Sequence, residues 1–196
     1  MADEVRQLSR ELQDALVILA EELPAHQARY ALVGGIAAGL RGKLRYTEDI
    51  DFIITVPQLR LPSLLETLVA RGFTCDIMAT IREWNQSQMV VMDYGSVRVD
   101  WLKPIVPAYL HVVNTATKES WNGRDLCVAT AEGIILTKMI ASRDQDIADI
   151  NVLLAANRGQ LDMSWIEQEW NTLFDANDPR WLKYRQSLAE YYDFDR

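Results

Sequence analysis

Hydrophobic residues recur along the chain with two different periods, and the change from one to the other divides the sequence. Leucines at three- and four-residue steps near the start predict a helix with one buried stripe, which we expect Pro24 to end. Short apolar runs predict strands at residues 30–33, 50–55, 73–78, 88–92 and 97–102, and a helix at 61–72. From residue 130 onward the pattern is helical, at 131–142 and 146–156, with further helices opening at Ser164 and at Asp178-Pro179. We therefore predict an α/β part over residues 1–125 and a helical region over residues 126–196.

Two carboxylates, Asp49 and Asp51, open the strand predicted at 50–55. Because side chains alternate faces along a strand, both point the same way. They are about 6.6 Å apart along the strand, and two such charges repel by roughly 2.5 kcal/mol at an effective dielectric of about 20. A divalent cation bound by both would replace repulsion with coordination, and such hard oxygen donors suit Mg²⁺. Asp100, on the strand predicted at 97–102, adds a third carboxylate that could complete a two-metal site or accept the proton of an attacking hydroxyl. Taken alone, Asp100 could also lie on an exposed strand face or pair with Arg98.

Gly34-Gly35 follows the strand predicted at 30–33 and precedes a helix-compatible segment. Glycine lets the backbone approach a ligand closely, and the free N–H groups at a helix start attract phosphate. Arg41, Lys43 and Arg45 lie between the glycines and the acidic pair, where they either bind phosphate oxygens or belong to a solvated loop. The glycine pair by itself is also compatible with an ordinary turn.

Taken together, Gly34-Gly35, Asp49-Ile50-Asp51 and Asp100 resemble the active-site motif of the nucleotidyltransferase superfamily. The run Arg45-x-Thr47-x-Asp49-Ile50-Asp51-Phe52 is similar to the branch that includes the AbiEii-type toxins and related small nucleotidyltransferases. A second match to that branch is Lys138, followed by Arg143 and Asp146-x-x-Asp149, with Gln145 where a basic residue often stands. The resemblance implies an α+β fold with a mixed sheet flanked by helices, followed by a small helical C-terminal region.

The resemblance also implies an activity: transfer of a nucleoside monophosphate from an NTP to an acceptor hydroxyl on a small molecule, a protein or an RNA, with release of pyrophosphate. It implies Mg²⁺ as cofactor, with Mn²⁺ as a substitute, and a role related to toxins through the branch. The catalytic and metal-binding residues would be Asp49, Asp51 and Asp100, and the nucleotide-binding residues Gly34, Gly35, Arg45, Thr47 and Lys138. The alternative is a catalytically inactive module of the same fold that senses nucleotides or binds a partner.

Several of these residues also have a structural interpretation. Lys138 fits the surface of a helix, and Asp146 and Asp149 fit the acidic preference of a helix's first turn. Aromatic side chains in the C-terminal helices fit packing better than stacking on a base. They are Trp165, Trp170, Trp181, Tyr184, Tyr191 and Tyr192.

Composition narrows the class of protein further. The chain carries 20 basic and 28 acidic residues, a net charge of −8, so we expect no general DNA binding, and nucleic acid only as an acceptor. No apolar run reaches the roughly 18 residues of a membrane span, and the acidic N-terminus does not resemble a signal peptide. Two cysteines, Cys75 and Cys127, make no disulfide framework, which favours the cytoplasm. A Gly-x-x-x-x-Gly-Lys-Ser/Thr motif is absent, which argues against a kinase of that type.

Overall fold

The computed structural model describes residues 8–43 and 47–192, which form one mixed sheet flanked by helices. The strands are β1 (Arg29–Val33), β2 (Asp49–Thr55), β3 (Phe73–Thr74), β4 (Met89–Tyr94), β5 (Val97–Leu102), β6 (Thr117–Trp121) and β7 (Arg124–Val128). The helices are α1 (Arg10–Ala25), α2 (Gly34–Arg41), α3 (Leu61–Ala70), α4 (Ile77–Gln86), α5 (Pro107–Thr115), α6 (Ala131–Ala141), α7 (Asp144–Ala156), α8 (Met163–Leu173) and α9 (Pro179–Tyr191). The predicted α+β class with a mixed sheet and C-terminal helices is confirmed.

The sheet has the strand order β3-β4-β5-β2-β1-β7-β6, which puts β2 at its centre. β2 runs antiparallel to β1 and parallel to β5. In this register Asp51 lies opposite Val33 on one side and opposite Asp100 on the other. Pairing register fixes which side chains share a face, so the strand that carries two predicted ligands lies directly beside the strand that carries the third.

Burial changes along β2. From Phe52 to Ile54 the strand is fully buried, as expected for a central strand covered by helices on both faces. At its start, Asp49 is exposed and Asp51 is half-buried, while Ile50 between them is buried. The open, acidic part of β2 is therefore its N-terminal end.

The described residues confirm most predicted elements, but the strand predicted at 73–78 is wrong. Only Phe73–Thr74 pairs with β4. Asp76 then caps α4, its side chain accepting the backbone N–H of Ala79 at 2.9 Å. The capping side chain ends the extended segment and turns the remaining apolar residues into the first turn of a helix. The first helix was expected to end at Pro24, but α1 continues to Ala25, so Pro24 lies inside the helix.

The β6–β7 hairpin and the helices α4 and α5 have no counterpart in the sequence prediction. The hairpin turns at Asn122-Gly123, and both residues have positive φ, 46° and 79°. This dipeptide favours a two-residue hairpin turn and was the available signal. β7 pairs in parallel with β1 through Leu32 and Val128, so the boundary predicted at residue 125 falls inside a strand of the main sheet.

The C-terminal helices pack through the aromatic residues, as predicted. Trp170 and Tyr184 are fully buried, and the rings of Trp170 and Trp181 stack with centroids 5.9 Å apart. Asp178 caps α9 as expected, but α8 is capped by Asp162 rather than by Ser164. Among the described residues, no helix is both long and apolar enough to span a membrane.

Candidate active site

A cavity of about 570 Å³ opens at the N-terminal end of β2. Residues from β2, β5, the start of α2 and the α6–α7 corner surround it, so the sheet and the helical region both contribute. Its lining is almost wholly polar: Gly34, Gly35, Thr47, Asp49, Asp51, Arg98, Asp100, Lys138, Arg143, Gln145 and Asp146. The cavity therefore brings together segments from four separate parts of the chain.

Gly34 forms the junction between β1 and α2 and lies against the side chain of Asp51. Its φ is +69°, a left-handed conformation that side chains rarely adopt. A Cβ atom at this position would lie 1.9 Å from Oδ2 of Asp51. Both the backbone conformation and the lack of space therefore require glycine here. The backbone approaches the Asp51 side chain closely at this point, and its predicted approach to a phosphate ligand stays a prediction.

The three predicted carboxylates line this one cavity. Asp51 and Asp100 are direct register partners on parallel strands, and Asp49 is two residues from Asp51 on the same face. Burial raises the pKa of Asp51 to about 6, and the carboxylates of Asp100 and Asp49 add to the effect. Lys138 and Arg143 oppose the rise only in part. Asp51 is thus a largely enclosed carboxylate whose charged form is disfavoured, first by burial and then by its two acidic neighbours.

Asp100 is held by an arginine on its own strand. Nε of Arg98 donates to Oδ1 of Asp100 at 2.7 Å, and Asp100 raises the pKa of the Arg98 guanidinium in return. The two residues are i and i+2 on β5 and so share its cavity face. Arg98 lies opposite Asp49 in the β2–β5 register. The sequence indicated this pairing as one of the alternatives for Asp100, and the structure contains it.

Lys138 is buried, with 4% of its surface exposed, which excludes its interpretation as a surface lysine. Its Nζ donates to Asp149 Oδ2 at 2.6 Å and to Asp146 Oδ1 at 3.2 Å. Burial alone would raise the pKa of Asp146, but its bonds from Arg143 and the charge of Lys138 outweigh burial and hold that pKa below its usual value. Asp146 also accepts the backbone N–H of Arg143, in the first turn of α7, as the structural interpretation predicted.

Arg143 and Gln145 are further residues at the cavity. The Arg143 side chain is 77% exposed, and its Nε donates to Asp146 Oδ2 at 2.8 Å. Gln145 donates from Nε2 to Asp149 Oδ1 at 3.0 Å. Arg143 thereby presents an anchored positive charge at the mouth of the cavity, across from Asp51. The motif match pointed to this corner, but spacing alone did not show that it faces β2.

The remaining predicted phosphate-binding cations are placed differently. Arg45 lies outside the described residues. Lys43 is exposed and does not line the cavity. Arg41 points away from the cavity, toward the edge strand β6. It donates to Glu119 on β6 at 2.5 Å and to the carbonyl of Ala129 at 2.9 Å. Its role is to tie α2 to β6 and to the residue after β7.

Thr47 and Gly35 do line the cavity. Oγ1 of Thr47 accepts the backbone N–H of Asp49 at 3.4 Å, which fixes the approach to β2. Gly35 is buried in the first turn of α2. Their placement is compatible with the nucleotide-binding role that the sequence predicts for them.

The donor set of the cavity is that of a hard cation site, but it is not preassembled. Within residues 8–43 and 47–192, no three His, Cys, Asp or Glu side chains are arranged to hold a metal ion. Asp49 and Asp51 are separated along the strand, and Asp100 is engaged by Arg98. Burial, with the nearby Asp100 and Asp49, disfavours the charged form of Asp51, and a bound divalent cation would offset that cost. Carboxylates with phosphate oxygens are the usual ligands of Mg²⁺.

A second and larger cavity, of about 730 Å³, lies at the other end of β1. Short apolar side chains such as Ala20, Ala28 and Val113 form much of its wall. The charged groups at its edge include Lys118 and Asp125, which are ion-paired with each other at 3.0 Å. Size alone favours this cavity as a site, but the carboxylates and the glycine junction are at the smaller one.

Comparison with solved structures identifies the fold. A nucleotidyltransferase-like antigenic protein from Paracoccidioides brasiliensis matches with a TM-score of 0.54 and 20% identity, over 93% of this chain and 92% of that one. ANT(2'')-Ia in complex with adenylyl-2''-tobramycin matches with a TM-score of 0.54 and 16% identity, over 92% and 99% of the two chains. A solution structure of the antibiotic-resistance factor ANT(2'')-Ia matches with a TM-score of 0.53 and 15% identity, over 94% of this chain and 98% of that one.

No protein-family model and no curated protein matches the chain. The similarity to the solved structures extends over more than nine tenths of both chains in each comparison. Sheet, helices and cavity together therefore give this chain the nucleotidyltransferase-like fold.

Proposed function

We propose that the protein is a divalent-metal-dependent nucleotidyltransferase, which transfers a nucleoside monophosphate from an NTP to an acceptor hydroxyl. One observation carries the proposal: Asp49, Asp51 and Asp100 line a single polar cavity beside Gly34, in a chain of nucleotidyltransferase-like fold. A surface made only to bind a polyphosphate would gain nothing from three carboxylates at that position. The same carboxylates are useful when cations bridge them to the phosphates.

Mg²⁺ fits the donor set, and Mn²⁺ would substitute for it. Asp49, Asp51 and Asp100 would hold the metal together with phosphate oxygens of the substrate. When bound, the metal neutralises charge on the transferred phosphoryl group and polarises its oxygens. The raised pKa of Asp51 supports this assignment, because it shows a carboxylate that its protein neighbours leave incompletely compensated.

The chain's own residues position the reactants. The α-phosphorus of the NTP exchanges its bond to the leaving pyrophosphate for a bond to the acceptor oxygen, and the hydroxyl proton passes to a carboxylate oxygen of Asp100. Backbone N–H groups at Gly34 and Gly35, where α2 begins, face the phosphates. Arg143, exposed at the cavity mouth, provides positive charge for the released pyrophosphate.

The acceptor hydroxyl belongs to one of three classes. One structural neighbour, ANT(2'')-Ia, is a complex with adenylyl-2''-tobramycin, which supports adenylyl transfer to a small-molecule hydroxyl as the class to test first. Protein and RNA hydroxyls are the other classes. The predicted relation to the AbiEii-type branch, with its toxin role, stays a prediction.

Incubation of the full chain with each α-³²P-labelled NTP, Mg²⁺ and a cell lysate tests the proposal. We expect label to appear on a macromolecule or metabolite with one or more of the four nucleotides, and to be lost with EDTA. Asp51→Asn should abolish labelling because it removes an inner carboxylate without changing its size. Asp125→Asn, an exposed carboxylate at the distant end of the sheet, is the matched control and should label normally.

The same proteins separate catalysis from binding alone. If the wild-type chain is stabilised by a nucleotide with Mg²⁺ in a thermal-shift assay but transfers no label, the inactive nucleotide-sensing module is the better description. If no nucleotide stabilises the chain with or without Mg²⁺, the cavity is not a nucleotide site and the proposal is overturned.

A further inference from the structure

Arg98 occupies an unusual position for a cation in a site that is expected to bind metal. It shares the cavity face of β5 with Asp100, lies opposite Asp49 in the neighbouring strand, and donates to Asp100 at 2.7 Å. Within the described residues, this is the ion pair that reaches one of the three predicted metal-binding carboxylates. A cation of the protein is therefore bound where a divalent cation would have to coordinate.

We propose that Arg98 is an exchangeable counter-cation of the site: it pairs with Asp100 in the metal-free protein and yields that carboxylate to an incoming divalent cation. The inference rests on the proposed function, in which the same carboxylate binds metal. It adds a residue that tunes metal affinity and that is not among the residues of the sequence motif.

The surroundings of Arg98 make the exchange feasible. Half of its side chain is exposed, against 22% for Asp100, so the guanidinium can leave the carboxylate without being stranded in an apolar interior. Partly exposed ion pairs are weak, because water and dissolved ions compensate both charges when they separate. Arg143, by contrast, is bound to Asp146 and not to any of the three carboxylates, so it shares the cavity without blocking a ligand.

Metal-free Asp100 also benefits from the pairing. Three carboxylates converge on the cavity, and the guanidinium offsets part of their repulsion while no metal is present. Removal of Arg98 should therefore have two opposite effects. It should destabilise the metal-free protein and, because a competitor is gone, strengthen the binding of a divalent cation.

Titration of the full chain with Mn²⁺ alone, without nucleotide, tests this by the electron paramagnetic resonance signal of free Mn²⁺. We expect Arg98→Gln to lower the Mn²⁺ dissociation constant about two- to fivefold, the range that an exposed ion pair allows. The melting temperature of the variant should fall in EDTA and rise more steeply with added Mn²⁺ than that of the wild type. Neither readout depends on catalysis.

Arg143→Gln is the matched control because it removes one positive charge from the same cavity. If it lowers the dissociation constant as much as Arg98→Gln does, Arg98 acts only through overall charge and the exchange is overturned. A second control is the Asp100→Asn background, in which Arg98→Gln should no longer alter Mn²⁺ binding.

The outcomes also separate this inference from the function on which it rests. Mn²⁺ binding and label transfer by the wild type, with an unchanged or weaker affinity in Arg98→Gln, overturn the exchange alone. No Mn²⁺ binding by either protein, with label transfer by the wild type that EDTA abolishes, likewise overturns the exchange alone. Label transfer that is absent or that persists in EDTA overturns the metal-dependent function, and the exchange with it.

Discussion

Gly34 and Asp51 are packed so closely that a single added carbon on the glycine would lie 1.9 Å from Oδ2 of the carboxylate. The glycine belongs to the β1–α2 junction and the aspartate to β2, so this contact sets the position of the carboxylate relative to the start of α2. A change at Gly34 therefore acts directly on the geometry of the site.

Gly34→Ala should reduce nucleotidyl transfer about a hundredfold, since displacement of a reacting group by about 1 Å costs a factor of that order. The left-handed backbone adds about 1–2 kcal/mol of instability. Gly159→Ala is the matched control, because its φ of +70° imposes similar strain with nothing within 4 Å of the new Cβ. Radiolabel transfer measures the loss of activity, and urea unfolding measures the loss of stability. If both variants lost the same activity, backbone strain rather than the contact with Asp51 would be the cause.

Asp51→Asn should stabilise the metal-free protein in a pH-dependent way. Burial raises the pKa of Asp51 from 3.8 to about 6, so between these values the folded chain binds more protons than the unfolded chain. Stability contributed by the protonated group is thus lost as pH rises through this window. We expect the free energy of unfolding of Asp51→Asn to exceed that of the wild type by up to about 3 kcal/mol at pH 8, and by almost nothing at pH 4.

Urea unfolding in EDTA at the two pH values measures this gain. Asp14→Asn, on the exposed surface of α1, is the control and should show no such difference. A loss of stability at pH 8 in Asp51→Asn would mean that the carboxylate has a structural role and would count against its assignment as a metal ligand.

Lys138→Met should destabilise the fold by about 3–5 kcal/mol, because it leaves two buried carboxylates, Asp146 and Asp149, without their shared cation. Lys118→Met breaks an ion pair that is 70% and 66% exposed and should have little effect on stability, because water and salt compensate both charges. The double change Lys138→Met with Asp149→Asn should recover part of the loss in chemical denaturation. No recovery would indicate that packing of the lysine stem, rather than charge, is the dominant contribution.

Arg41→Gln should reduce stability by about 1–3 kcal/mol, because its guanidinium bonds hold α2 to β6. The Michaelis constant for NTP should not change, since Arg41 lies away from the cavity. Glu119→Gln, which weakens the same contact from the other side, should give a smaller loss of the same sign. A large increase in the Michaelis constant for Arg41→Gln would restore its interpretation as a phosphate ligand.

The sequence predicted the central strands, and the shared face of Asp49 and Asp51, because both depend on local patterns. Side-chain alternation places Asp49 and Asp51 on one face, and the apolar run after them marks a buried strand. The glycine junction followed from the same reasoning, since a strand that turns directly into a helix leaves little room for a side chain at Gly34.

The rest depends on contacts between residues far apart in the chain. Lys138 is compatible with a surface position in the sequence, and only its packing against α7 shows that it is buried between Asp146 and Asp149. The orientation of the Arg41 side chain depends on its bond to Glu119 on β6, a strand that the pattern of apolar and polar residues did not predict. Asp76 ended the strand predicted at 73–78 through a side-chain cap, a local signal that competes with apolar patterning.

β7 pairs with β1 and leads directly into α6, which supplies Lys138 to the cavity, while α7 supplies Asp146. A gene fragment ending at residue 125 would cut through that strand and discard one wall of the cavity. Recombination between relatives could therefore exchange α8 and α9 while leaving this wall in place, but a crossover between β5 and α6 would pair one parent's carboxylates with the other's lysine and aspartates.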